Sequence, residues 1–118
     1  MTESAANYKR QHRKWNMETL ALLRANGANL GRHHSITNVF FVSSADQCKT
    51  LTQALVAQLL VVTKDQPAGD ESDARWSVYG EILLIPNEQE LGRMTDQCIR
   101  LAFTAGAEYD GWFTEPVT

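Results

Sequence analysis

Four stretches of the chain have the alternation or the composition of a β-strand. The clearest is "SITNVFFV", whose Ile36 and Phe40 fall on one face while Val39 and Phe41 fall on the other. "RWSVYGEILLI" alternates in the same way, and "LLVVTK" and "EYDGWFTEPV" contain strand-forming β-branched or aromatic residues. We therefore predict strands near residues 35–43, 59–65, 75–85 and 108–116.

Two helices are predicted between these strands from their capping signals. Ser44 followed by Gln47, and Asn87 followed by Glu90, have the spacing of a capping box. Gly106 is a typical residue for a helix C-terminus. The helices are expected near residues 44–57 and 87–105. The second has a predicted buried stripe, formed by Leu91, Met94, Cys98, Leu101, Ala102 and Ala105.

A further helix is predicted near residues 5–26, at the start of the chain. Tyr8, Trp15 and Leu22 recur at seven-residue intervals, so we expect this side to pack on the domain or on a second copy. The basic run "KRQHRK" is interpreted as a solvated helix face. Two residues are alternative N-caps for this helix: Ser4 and Asn16.

The order of elements is therefore helix, then strand, helix, strand, strand, helix, strand. The last six elements match the ferredoxin-like arrangement, an α+β two-layer sandwich with a four-stranded antiparallel sheet and two helices on one face. The length fits one domain over residues 1–118, with residues 1–30 as an N-terminal helical extension packed on it.

Composition and charge narrow the functional classes. The formal net charge of -3 argues against a general affinity for nucleic-acid phosphates. No apolar run is long enough to span a membrane, and the N-terminus lacks the apolar core of a secretory signal. Cys48 and Cys98 fall on predicted apolar helix faces and are expected to be small core residues. These features predict a cytoplasmic protein with reduced thiols.

The sequence shows no convincing catalytic or metal-binding set. His33 and His34 are adjacent, which is not the spacing of paired metal ligands, and we place both in a solvated turn before the first strand. Ser43 and Ser44 are better explained as helix caps than as nucleophiles. We therefore predict no enzymatic activity, no metal and no cofactor.

RNA binding is an alternative, because the RNA-recognition motif has the same order of elements. In that module, aromatic residues on the first and third strands stack on bases. Phe40 or Phe41, with Trp76 or Tyr79, would take these positions. However, "RWSVYGEI" matches the motif poorly, and the acidic balance would repel the RNA backbone. We expect no direct binding of nucleic acid, while a domain that binds a small ligand remains a further alternative.

The stretch "EYDGW" combines residues with distinct backbone and surface properties. Gly111 would permit a β-bulge or a positive φ, and Asp110 beside it is ordinary turn chemistry. By simple alternation, Tyr109 and Trp112 would point to opposite faces of the last strand.

"GAEYDGWFT", residues 106–114, resembles the closing motif of the regulator of ribonuclease activity B family, inhibitors of ribonuclease E. In that family a Tyr-Asp-Gly-Trp segment follows a helix and begins the last strand. The resemblance extends to the order of elements, including a leading helix that ends in a Gly- and Asn-rich turn. It implies a ferredoxin-like, non-catalytic bacterial protein of the cytoplasm that binds endoribonuclease E and modulates RNA processing and decay.

The resemblance gives four signature positions: Tyr109, Asp110, Gly111 and Trp112. We expect them to form a rigid surface knuckle that belongs to a protein-binding face, because Tyr and Trp dominate interface hot spots. Endoribonuclease E is the expected partner, and a homodimer is an open alternative.

Overall fold

The computed structural model describes residues 2–58, 60–65 and 76–118 of the chain. Residues 59 and 75, at the ends of two predicted strands, lie outside the described residues. The elements are, in order, α1 (Thr2–Ala25), β1 (His34–Val42), α2 (Ala45–Ala57), β2 (Val61–Asp65), β3 (Trp76–Leu84), α3 (Glu88–Ala105) and β4 (Glu108–Phe113).

The described strands form one open sheet in the order β2, β3, β1, β4, and every neighbouring pair is antiparallel. The helix α2 connects β1 to β2, with β3 lying between those strands. The helix α3 connects β3 to β4, with β1 between them. The predicted α+β class and the four antiparallel strands are therefore confirmed.

The hydrophobic core combines buried side chains of α2 and α3 with those of the strands. Alternate residues of β1 are buried, including Ile36 and Phe40, as the alternation predicted. Cys48 and Cys98 are buried free thiols, which confirms their predicted place in the core. In α3 the buried stripe also includes Thr95 and Ile99, whereas the predicted member Leu101 is half-buried.

Side-chain caps set the N-termini of α2 and α3, as predicted. The Ser44 hydroxyl accepts a hydrogen bond from the Gln47 N–H at 3.1 Å, and Asn87 Oδ1 accepts from the Glu90 N–H at 2.8 Å. Gly106 ends α3 in the left-handed conformation, with a φ of 70°. These local signals depend only on neighbouring residues, which is why the sequence revealed them.

Tyr8 packs on the domain as predicted, but the rest of the buried face of α1 differs from the predicted one. Trp15 and Leu22 are 42% and 62% exposed, while His12, Asn16 and Leu20 are buried. The buried residues follow an i, i+4 spacing, but two of them are polar, so a search for hydrophobic positions missed them. The packing of Trp15 and Leu22 on the domain was therefore a wrong prediction, as was a helix start at Ser4 or Asn16, since both lie inside α1.

His34 lies in β1 and is fully buried, which corrects its predicted place in a solvated turn. Its Nδ1 donates to the Arg32 carbonyl at 2.9 Å, and its Nε2 accepts from the Val117 N–H at 3.0 Å. The Val117 carbonyl accepts in turn from the Asn29 N–H at 2.7 Å. This imidazole therefore ties the last residues of the chain to the turn after α1, whereas His33 is exposed.

Candidate functional site

The signature segment of β4 contains a β-bulge opposite β1. Phe40 pairs with Tyr109 and Val39 pairs with Gly111, so Asp110 is the extra residue in this register. Gly111 has a φ of 117°, in a region that a side chain disfavours. The bulge predicted from the glycine is confirmed, and it leaves the Asp110 side chain exposed.

The bulge changes the direction of the side chains that follow it. Tyr109 lies opposite Phe40 and Trp112 lies opposite Asn38, and both β1 residues face the core. The predicted placement of Tyr109 and Trp112 on opposite faces is therefore wrong. An extra residue between them shifts the two-residue alternation by one position, so both rings point to the same face.

Tyr109 is a core residue whose hydroxyl and carbonyl both form hydrogen bonds. It is 1% exposed, and its hydroxyl donates to Asn38 Oδ1 at 2.7 Å. Its carbonyl accepts a hydrogen bond from the Tyr8 hydroxyl of α1. Burial, reinforced by the nearby Cys98 thiol, raises the pKa of Tyr109 well above its ordinary value. The expected surface position is therefore wrong for the Tyr109 ring, which packs in the core beneath the signature segment.

Trp112 joins β4 to α1 and, through α1, to α3. Its ring is half-buried, and Nε1 donates to Asn16 Oδ1 at 2.7 Å. Asn16 Nδ2 donates to Thr95 Oγ1 at 3.1 Å, and that hydroxyl donates to the Leu91 carbonyl at 3.0 Å. Asn16 and Thr95 were missed as functional candidates. The i, i+4 spacing of His12, Asn16 and Leu20 was the signal that could have found the first.

His12 occupies the centre of the contact between α1 and β4. Its ring lies 4.7 Å from Tyr8 and 4.9 Å from both Trp15 and Tyr109, measured between ring centroids. Its Nε2 is buried and has no hydrogen-bond partner among the described residues. Burial lowers the pKa of His12, and the Asp110 carboxylate partly opposes that shift. The basic run is therefore not a uniformly solvated helix face, because its central residue is in the core.

An open groove of about 690 Å³ lies next to this junction, between α1 and the first half of α3. Arg13 and Asp96 line it and form an ion pair at 2.7 Å. Within the described parts of the chain, no group of three or more His, Cys, Asp or Glu side chains could hold a metal ion. Next to this junction, the Asp110 side chain of the bulge is exposed.

The four aromatic residues considered for RNA stacking divide between the two faces of the sheet. Phe40 is fully buried, and Trp76 shares the core-facing side of β3 with Val78. Phe41 and Tyr79 are half-buried on the other face, one on β1 and one on β3. Only these two therefore occupy positions comparable to the stacking residues of an RNA-recognition motif.

Comparison with known protein families gives a match over most of the chain. The family described as "Regulator of ribonuclease activity B" matches residues 13–114, a span that runs from within α1 to just beyond β4. A search of curated proteins finds no match. None of the described helices is both long and apolar enough to cross a membrane.

Proposed function

The chain belongs to the regulator of ribonuclease activity B family, and from that premise we propose that it is a non-catalytic cytoplasmic protein that binds endoribonuclease E. On binding, it lowers or redirects cleavage of RNA by that enzyme. The observation that carries the proposal is the family match over residues 13–114, which includes the whole signature segment. The ribonuclease would be the partner, and RNA would be affected only through it.

The fold that we propose for this function is ferredoxin-like, in one domain over residues 1–118. The strand order and the two crossing helices, each spanning one intervening strand, support this assignment. Residues 1–30 would be an extension of that domain, because α1 contacts α3 and its Tyr8 hydroxyl bonds to β4.

The signature segment would take part in the partner surface through three of its four residues. Asp110 is exposed at the bulge, and Gly111 and Trp112 are half-buried beside it. Tyr109 would hold the bulge from the core side, because its hydroxyl and carbonyl bond to β1 and α1. A surface fixed in this way loses little conformational entropy on binding, which favours affinity.

We propose the absence of catalysis because the pKa values of two buried reactive groups, Cys98 and Tyr109, are raised. Burial raises the pKa of Cys98 to about 12, so its thiol is protonated at neutral pH and is a poor nucleophile. The Tyr109 hydroxyl is engaged with Asn38, and its raised pKa keeps it protonated. Both groups therefore serve packing and hydrogen bonding.

The test compares Asp110→Lys with the matched control Glu18→Lys, which makes the same charge change at an exposed position of α1. The purified proteins are assayed for capture of purified ribonuclease E and for inhibition of its cleavage of a fluorescent RNA. We expect the wild type and Glu18→Lys to capture and inhibit, and Asp110→Lys to lose at least about tenfold in affinity through like-charge repulsion.

Two outcomes would contradict the proposal. A wild-type protein that neither captures the ribonuclease nor changes its cleavage rate would refute the function. If Asp110→Lys and Glu18→Lys behave alike, the signature segment lies outside the contact surface. Melting temperatures of all three proteins show whether each variant is folded, and Trp112→Ala, measured in the same way, separates loss of contact from loss of stability.

A further inference from the structure

The face of the sheet that points away from the core carries exposed apolar side chains. We define this outer face by residues of all four strands: Thr37, Val39 and Phe41 of β1, Val61 and Thr63 of β2, Tyr79, Glu81 and Leu83 of β3, and Glu108 and Phe113 of β4. Val61 and Leu83 are each 66% exposed, and Phe113 is 55% exposed. Apolar side chains grouped in this way on one surface are typical of an interaction site.

The centre of the outer face is a shallow depression of about 250 Å³. Tyr79 and Phe113 supply its aromatic walls, Thr37 and Thr63 contribute hydroxyl groups, and Glu81 supplies a carboxylate. The Ser35 hydroxyl donates a hydrogen bond to Glu81 Oε1, so this carboxylate is held in place at the edge of the depression. An aromatic wall beside a fixed carboxylate is an environment that suits a cationic side chain.

The charged side chains described on the outer face are all acidic. Among the outer-face side chains that the structure describes, Glu81 on β3 and Glu108 on β4 are the charged ones, and none is Lys or Arg. The whole chain has the same sign, with a formal net charge of -3. A partner for this face therefore needs positive charge together with apolar or aromatic contact area.

We propose that the outer face binds a basic, arginine-bearing segment of a partner protein, with an arginine seated in the depression. The guanidinium would lie against the rings of Tyr79 and Phe113 and pair with Glu81, while apolar residues of the segment cover Leu83 and Val61. This inference rests on the proposed function, because a ribonuclease must present basic surfaces to bind RNA phosphates. It extends the proposed contact surface from the bulge of β4 across the sheet.

Two other occupants fit the charges less well. Single-stranded RNA would find Phe41 and Tyr79 for stacking, but Glu81 and Glu108 would repel its phosphates. A second copy of the chain related by two-fold symmetry would bring two acidic faces together, which like-charge repulsion disfavours.

The experiment uses a synthetic twelve-residue peptide of alternating arginine and leucine, titrated into the full chain labelled with ¹⁵N. We expect the amide signals of the outer-face strands to shift, and Glu81→Gln and Glu81→Lys to weaken binding in that order, the second by at least about tenfold. Glu18→Lys is the matched control and should bind as the wild type does. The amide spectrum of each variant also shows that it remains folded.

Peptide shifts confined to the helices, or equal binding by Glu81→Lys and Glu18→Lys, would overturn the proposal. Preferential shifts of the outer-face amide signals by an RNA oligonucleotide, or self-association that protects this face, would also overturn it.

Capture of ribonuclease E separates the two proposals. If Glu81→Lys captures it as well as Glu18→Lys does, the outer face is not the docking surface while the proposed function stands. If the wild type captures none but the peptide maps to the outer face, the proposed function fails and the basic-segment site stands.

Discussion

Three buried polar residues determine how the signature segment is held. Asn38 accepts from the Tyr109 hydroxyl, Asn16 accepts from the Trp112 indole, and His12 packs against the Tyr109 ring. Buried polar groups stabilise a fold only when they are paired, and removing one partner leaves the other at a cost of about 1–3 kcal/mol. The side-chain oxygens of both asparagines accept a hydrogen bond from a β4 side chain. By contrast, His12 Nε2 has no partner among the described residues.

This position of His12 predicts that acid weakens the fold. Burial lowers the pKa of His12 in the folded protein, so below about pH 6.5 the unfolded chain binds more protons at this site than the folded one. The contribution of His12 to the free energy of unfolding is therefore fully present above that pH, and it declines as the pH falls toward the lowered pKa. We expect the free energy of unfolding to fall more steeply with acid in the wild type than in His12→Gln.

The measurement is urea denaturation of both proteins from pH 8 to pH 5, and the informative quantity is the difference between their unfolding free energies. Asp110→Asn gives a second check of the sign. Its carboxylate holds the pKa of His12 up, so removing that charge should steepen the acid-induced loss. A difference between wild type and His12→Gln that does not change with pH would contradict the assignment.

At the scale of elements, the sequence predicted the parts that depend on local chemistry. The caps at Ser44 and Asn87, the stop at Gly106 and the alternation of β1 were all correct. The face of α1 was wrong because its choice depends on tertiary partners. The buried Asn16 side chain is paired by Trp112 at its oxygen and by Thr95 at its nitrogen, and both partners are distant in sequence. Periodicity cannot predict such a pair, and it favoured the hydrophobic but exposed Trp15 and Leu22.

The positive φ of Gly111 in the β4 bulge leads to a prediction that two glycine variants can test. Gly111→Ala introduces a side chain at a φ of 117°, so we expect a loss of about 1–3 kcal/mol in the free energy of unfolding. Space is not the cause, because the added Cβ would lie 3.8 Å from His12 Cε1, an ordinary contact. Gly92→Ala in α3 is the control, since nothing lies within 4 Å of its added Cβ and alanine favours a helix by about 0.5–1 kcal/mol.

Chemical denaturation of both variants separates backbone strain from the loss of a glycine as such. Gly111→Ala should be less stable than the wild type, and Gly92→Ala as stable or more so. If both variants shift by the same amount, the positive φ of Gly111 is not a constraint on the fold. Capture of the ribonuclease by Gly111→Ala, at a temperature where this variant is folded, then shows whether binding depends on the shape of the bulge.

For the whole molecule, charge favours a basic protein segment over RNA as the partner of the outer face of the sheet. Net charge was readable from the sequence, but the distribution of charge over the two sheet faces required the register of the strands. Glu81 lies on the same face as Tyr79 because they are two residues apart on β3. The Glu81 carboxylate is thus next to Tyr79, one of the aromatic residues of the outer face.

We therefore predict weak RNA binding by the isolated protein, lost at physiological salt. A single-stranded RNA oligonucleotide would meet Phe41 and Tyr79, but each phosphate brought near Glu81 or Glu108 adds repulsion rather than releasing a counterion. Gel-shift titrations at low and at physiological salt measure this directly, with Glu81→Lys as the informative variant and Glu18→Lys as its control. Glu81→Lys should bind RNA more tightly than Glu18→Lys, because it alone removes the repulsion beside the stacking ring. Tight binding by the wild type at physiological salt would instead favour the RNA-binding alternative and make Phe41 and Tyr79 the residues to substitute next.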